Sequence, residues 1–263
     1  MNTRDVLTVL ESMAPLRWAA NWDNVGLIVG DPCAEIERIL VTVDYGADVA
    51  DEAYAFGAQL VVAYHPPMFE AVKRVPHDAL WAEAIRRGIA IYSPHTALDV
   101  GPLGTNDVLA DSCGLLPTGR RPLRGVQGLE KDPLGIGFGR VGEVTPQSLD
   151  DLLATVKTEL GVDHALVAAT APSRVRRVAV AAGAGGDLLS DALREGADVF
   201  VTGEVRHHDA LRAVRAGMSV IALLHSNSER KAVRSFAAHL GQRLGALVTV
   251  RASSRDADPF TFR

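Results

Sequence analysis

Short apolar runs alternate with segments of helical period along almost the whole chain. Residues 39–43, 59–63 and 89–92 read as buried strands in the first half, and 178–182, 198–201 and 219–224 repeat the pattern in the second. Between them lie helical stretches such as 48–56, where Val49, Ala53 and Phe56 share one face. Thr145-Pro146 reads as an N-cap and first-turn proline for a helix running to Leu160. Strand and helix in alternation predict an α/β protein with largely parallel pairing.

The pattern also repeats internally. "RILVTVDYGADVADEAYAFGAQLVVAYH" (38–65) and "RVAVAAGAGGDLLSDALREGADVFVTGE" (177–204) align without a gap at an offset of 139, with eight identities including Gly46/Gly185, Asp48/Asp187 and Gly57/Gly196. After a gap, an apolar strand runs into His95-x-x-x-Asp99 in one half and into His225-x-x-x-Glu229 in the other. Any two βα units share some likeness, but the ungapped length and the repeated His-x-x-x-carboxylate favour duplication. The predicted architecture is two pseudo-duplicated α/β lobes with mostly parallel sheets and a metal site in the cleft between them. The lobes are expected at 1–124 and 125–263, with the segment after about 225 packing back on the first.

Composition adds limits. The 263 residues allow a large core, and the 48% apolar and 22% charged content is that of an ordinary globular protein. A net charge of -5 disfavours a nucleic-acid partner, which wants a basic surface. Two cysteines, Cys33 and Cys113, make no disulfide framework and suit a reducing compartment. No apolar run reaches the roughly 18 residues of a membrane span, and the N-terminus lacks the layout of a signal peptide. A cytoplasmic location is expected.

The chemistry gathers at strand ends. "LVVAYHPPMF" ends a core strand in Tyr64 and His65, and two prolines then lock the backbone. His65, His95, Asp99, His225 and Glu229 all fall after strands, where α/β sheets gather ligands. Imidazoles and carboxylates without thiolate suit Zn, Mn, Fe, Co or Ni, one or two ions per chain. Two adjacent ions would hold a bridging water and lower its pKa. Taken singly, each residue has a plainer reading: His65 and His95 as loop hydrogen-bonders, Asp99 as a cap for a helix starting near Thr105, Glu229 as a solvated first turn. The duplication makes the joint reading stronger.

Further candidates are His95 and His208 as proton carriers, and the turn 183–186, whose Gly183, Gly185 and Gly186 amides could cradle a phosphate. A tight βα turn explains the same glycines. His208, beside His207, reads equally as a solvated helix start. Arg120, Arg121 and Arg124, with Lys73 and Arg74, could attract an anionic substrate or simply be solvated surface.

"WDNVGLIVGD", His65-Pro66, "SPHTALDVGPLGTNDVLA", "GADVFVTGEVRHH" and "HSNSE" together resemble the Nif-three-like, or YbgI-like, dinuclear metal centre family, whose members are often described as GTP cyclohydrolase 1 type 2 homologues. The resemblance covers nearly the whole chain. It implies ligands matching His65, Asp99, His225 and Glu229 with His95 close by, and a toroidal homohexamer. The family usually carries two consecutive histidines before the proline, and here Tyr64 stands in the first place as a candidate ligand. It often carries glycine where Leu224 stands. The resemblance implies a metal-dependent hydrolase, with metal-activated water acting on a small, anionic or nucleotide-like substrate. A non-catalytic metal-binding or partner-binding ring scaffold is the alternative.

Overall fold

The computed structural model describes residues 1–129, 132, 134–170, 174–261 and 263. In chain order the elements are α1 (Thr3–Met13), β1 (Gly26–Val29), β2 (Arg38–Thr42), α2 (Ala47–Phe56), β3 (Leu60–Ala63), α3 (Leu80–Arg86), β4 (Ala90–Ser93), α4 (His95–Val100) and α5 (Thr105–Ser112). There follow β5 (Arg124–Gly125), β6 (Gly137–Phe138), β7 (Arg140–Gln147), α6 (Leu149–Leu160), β8 (Leu166–Ala168), β9 (Val175–Ala181), α7 (Leu189–Arg194), β10 (Val199–Thr202), α8 (His207–Arg215), β11 (Ser219–Ala222), α9 (Arg230–Leu244) and β12 (Thr249–Ala252).

The chain forms two compact units, one of residues 1–98 and 233–257, the other of 99–232 and 258–263. It crosses between them inside α4, inside α9 and again after residue 257. The first crossing therefore lies at residue 98 where the sequence suggested 124, and the later segment that returns to the first unit starts at residue 233 where the sequence suggested about 225. The reason lies in packing. Val144, Leu152 and Val178 of the second unit bury Leu109, Ala110 and Cys113 of α5 in one cluster, while β12 adds a strand to the first sheet.

The first unit holds a five-stranded sheet in the order β1-β4-β3-β2-β12. β12, β2, β3 and β4 run parallel, and β1 closes one edge antiparallel. Its central strand β3 is buried at every residue, the signature of a sheet covered on both faces. One face packs with α1, α4 and α9 around Ile39, Leu60 and Tyr92, and the other with α2 and α3 around Leu40, Val61 and Ile91. The second unit repeats the scheme as β7-β9-β10-β11-β8, with β9, β10 and β11 parallel and both edges antiparallel. β2-β3-β4 therefore correspond to β9-β10-β11, the strands of the sequence repeat. The expectation of duplicated, mostly parallel α/β lobes holds. Among the described residues, no helix is long and apolar enough to cross a membrane.

Candidate metal centre

In the first unit the sheet carries the chain past β3. Tyr64 N–H donates to Thr42 O at 2.9 Å and His65 N–H to Val43 O at 3.0 Å, so both residues are fixed by the neighbouring strand before Pro66 turns the backbone. Asp44, two residues beyond β2, meets His65 Nδ1 at 2.9 Å. The next strand ends in Ser93, whose hydroxyl donates to Tyr64 O at 2.7 Å, and Pro94 then leads to His95 at the start of α4. His95 has φ +25°, a conformation rare for a residue with a Cβ.

Asp23 explains how His95 is held. Its carboxylate is fully buried and lies 2.7 Å from His95 Nδ1. It also accepts from Asn24 N–H at 2.8 Å, Thr96 N–H at 3.1 Å and the Thr96 hydroxyl at 2.5 Å. Burial raises the Asp23 pKa, but the His95 and Thr96 hydrogen bonds and the His95 charge outweigh it, leaving the carboxyl below its ordinary range. Two backbone N–H groups already point at this carboxylate, so it acts as an acceptor. The proton between it and His95 then sits on Nδ1, and in the neutral imidazole Nε2 keeps its lone pair.

Tyr64 is 2% exposed and packs in the first unit's core, with its ring 4.8 Å from His65 and 5.5 Å from His95. The two imidazoles are 5.4 Å apart. Tyr64, His65 and His95 are thus brought together. Asp99 follows His95 by one turn on α4, the i, i+4 spacing that shares a helix face. Its carboxylate accepts from the Thr105 hydroxyl, and its carbonyl from Asn106 Nδ2 at 3.0 Å.

In the second unit β11 leads through Leu223 and Leu224 to His225. Leu224 has φ +72°, the left-handed region in which glycine is at ease and leucine is strained. His225 Nε2 lies 3.4 Å from Glu229 Oε1, and Glu229 is 2% exposed. His225 Nδ1 meets Glu204 at 3.0 Å. This His/Glu pair could hold a metal ion: imidazole nitrogen and buried carboxylate oxygen converge, and a divalent cation would offset the burial of the charge.

Gly183 belongs to the same arrangement. A Cβ there would stand 2.5 Å from Glu229 Oε1 and 3.1 Å from His225 Nε2. Its N–H donates to Ser228 Oγ at 2.8 Å, and Gly185 N–H donates to Thr202 Oγ1 at 3.1 Å. Those two amides are spent inside the protein, and the turn supports the His225–Glu229 pair. Gly186 lines an open cleft of about 430 Å³ with Asp187, Glu204 and Arg206. His208 is not brought to the pair; it is exposed at the start of α8 with its ring against His207. The basic residues fall in different units. Arg120, Arg121 and Arg124 pair with Asp111, Glu195 and Asp191, while Lys73 and Arg74 are exposed in the first unit.

Three histidines thus share one device: Nδ1 held by a carboxylate of Asp44, Asp23 or Glu204. Metal-ligating histidines are commonly oriented this way, because the carboxylate fixes the ring and its tautomer. None of these three acids was singled out as a functional candidate from the sequence. A signal existed for two of them, since Asp44 and Glu204 each stand two residues past a strand end.

A duplicated α/β protein with carboxylate-backed histidines at its strand ends is the class that fold and site define. The chain belongs to the Duf34/NIF3 (NGG1p interacting factor 3) family, whose model matches residues 1–259. It is 34% identical to the NIF3-like protein 1 of Drosophila melanogaster, over 97% of this chain and 87% of that protein. It is 29% identical to a GTP cyclohydrolase 1 type 2 homolog of Clostridium perfringens, with both chains covered in full. Among solved structures it is similar to a hypothetical protein of Staphylococcus aureus, with a TM-score of 0.88 and 26% identity over 100% of this chain and 99% of that one.

Proposed function

We propose that this chain is a metal-dependent, hydrolase-like protein that acts on a small, anionic, nucleotide-like substrate. One or two divalent ions per chain (Zn, Mn, Fe, Co or Ni) would be held by His65, Asp99, His225 and Glu229, with Tyr64 at the same place. The observation that carries the reading is the set of three carboxylate-backed imidazoles, joined by the buried Glu229 beside His225. A bound ion supplies Lewis-acid polarisation and acidifies water. The residues do the rest. Asp44 and Glu204 aim Nε2 of His65 and His225, and Asp23 leaves Nε2 of His95 ready to take the proton released when water adds to an electrophilic carbon or phosphorus. His95 has this position and His208, on the exposed start of α8, does not.

The similarity to proteins named GTP cyclohydrolase 1 type 2 homolog supports a nucleotide-like substrate. A homohexameric ring in the cytoplasm, binding neither membrane nor nucleic acid, completes the proposal. It is tested by loading purified protein with Mn, Zn or Fe and measuring turnover of GTP and of phosphodiesters. Turnover lost in Glu229→Ala supports it; no turnover with any of these metals refutes the hydrolase.

Tyr64 favours a second reading. A phenol buried in the core where the family usually has a histidine reads as packing, which fits a metal-binding scaffold without catalysis. A melting temperature raised by metal, without hydrolysis, is its signature.

A further inference from the structure

Two large aromatic side chains stand in solvent beside His95. Trp22 is 64% exposed and Phe69 49%, and their ring centroids are 5.8 Å apart at an interplanar angle of 39°. The His95 ring is 6.2 Å from Trp22 and 6.3 Å from Phe69, edge-on to both at 74° and 78°. Single exposed apolar residues are ordinary, but neighbouring aromatic faces at a candidate reaction centre mark a binding surface.

Neither ring is on a loose tip. Trp22 precedes Asp23, whose carboxylate receives the bonds from Asn24, Thr96 and His95 described above. Ala20 N–H donates to Thr96 Oγ1 at 2.9 Å, which anchors the same loop to α4. Phe69 follows Met68, whose carbonyl accepts from Asn24 Nδ2 at 2.6 Å, so the two loops are tied to each other. Hydrogen bonds thus fix the two loops that carry the rings. A ligand that covers them pays little for ordering the protein.

We propose that Trp22 and Phe69 form a stacking platform for the planar heteroaromatic ring of a small ligand, with His95 at its rim. This deepens the reading of a nucleotide-like substrate and rests on it: the platform would receive the base. Aromatic faces take any nucleobase, because every base has a π-face, so the platform favours a flat ring without selecting among bases. Arg or Lys side chains are not needed for this step, and the paired arginines of the second unit play no part in it.

The test uses the full chain without added metal and isothermal titration with guanosine 5′-monophosphate, adenosine 5′-monophosphate and ribose 5-phosphate. Both nucleotides are expected to bind more tightly than the ring-less sugar phosphate. Phe69→Ala and Trp22→Ala are each expected to weaken nucleotide binding by roughly five- to hundred-fold, the range for loss of one base–aromatic stack, while Trp22→Phe retains most of it. Ribose 5-phosphate binding is unaffected. Metal content of the variants, which should match the wild type, separates loss of stacking from loss of the metal centre. The proposal is overturned if the nucleotides and ribose 5-phosphate bind alike, or if the alanine variants bind nucleotide as the wild type does. It is equally overturned if the variants change only the oligomeric mass by light scattering, which would make the pair a contact between copies of the chain.

Discussion

Gly183→Ala isolates the contact on which the His225–Glu229 pair depends. Gly183 has φ +64°, so any other residue there carries left-handed strain of about 1–2 kcal/mol. About 0.4–1 kcal/mol of that is recovered through the stiffer unfolded chain. The new methyl group would also stand 2.5 Å from the Glu229 carboxylate, well inside van der Waals contact, and Glu229 is buried. Relieving that overlap costs about 1–3 kcal/mol, as overpacking does elsewhere, and the side chain that must move is a proposed metal ligand. Gly161→Ala supplies the control: φ is +67° and the added Cβ meets open space, so it carries the strain without the clash. Melting curves with and without Mn read both effects. Gly161→Ala should lower the melting temperature slightly and keep the full metal-induced rise. Gly183→Ala should lie about 1–3 kcal/mol below it and lose most of that rise. Equal curves and equal metal responses would refute the reasoning.

Three further outcomes are expected. Asp23→Asn cannot accept from His95, Asn24 and Thr96 at once, because its amide nitrogen must face one set of donors. His95 is the proposed proton acceptor, so hydrolytic turnover should fall about 10- to 100-fold, the usual cost of losing such a partner, while Thr96→Val, which keeps the His95 bond, costs less. Arg140 is buried, pairs with Asp107 and donates to the carbonyls of Gly137 and Gly139, so Arg140→Ala should destabilise by about 3–5 kcal/mol in denaturant melts. Burial raises the Glu52 pKa, but bonds from Ser253, Ser254 and Arg255 outweigh it and hold it below the ordinary value. Its stabilisation is therefore complete above the unfolded pKa of about 4.3 and is lost as pH falls through the lower folded value. Protection of the 253–256 amides in hydrogen exchange should drop in that acid range in the wild type and should already be reduced in Glu52→Gln at neutral pH.

The duplicated core was legible because buried parallel strands leave apolar runs, as in β3, β10, β11, most of β2 and residues 178–181 of β9. β12 was not, since its residues alternate between exposed and half-buried and carry Thr249 and Arg251. Its pairing with β2, more than two hundred residues earlier, makes it a strand of the first sheet. Strand ends carrying His65 and His225 could be read directly. Their partners could not: Asp23 bonds His95 across 72 residues of sequence, with no periodicity to mark it. At the turn after β9 the sequence left open whether the glycine amides are free, and here Ser228 and Thr202 take those of Gly183 and Gly185. Leu224 stands where the resemblance implies a glycine, and its positive φ is the conformation that glycine adopts without strain.

Metal content per chain tests the central claim most directly. Protein expressed with mixed transition metals, stripped of loosely held ions and measured by elemental analysis should retain on the order of one or two ions per chain. Glu229→Ala should retain clearly fewer. Two would mean that Tyr64 is compatible with a dinuclear centre, and one that the centre is mononuclear here. A wild-type chain that keeps no metal, or a Glu229→Ala variant that keeps as much as the wild type, would contradict the account.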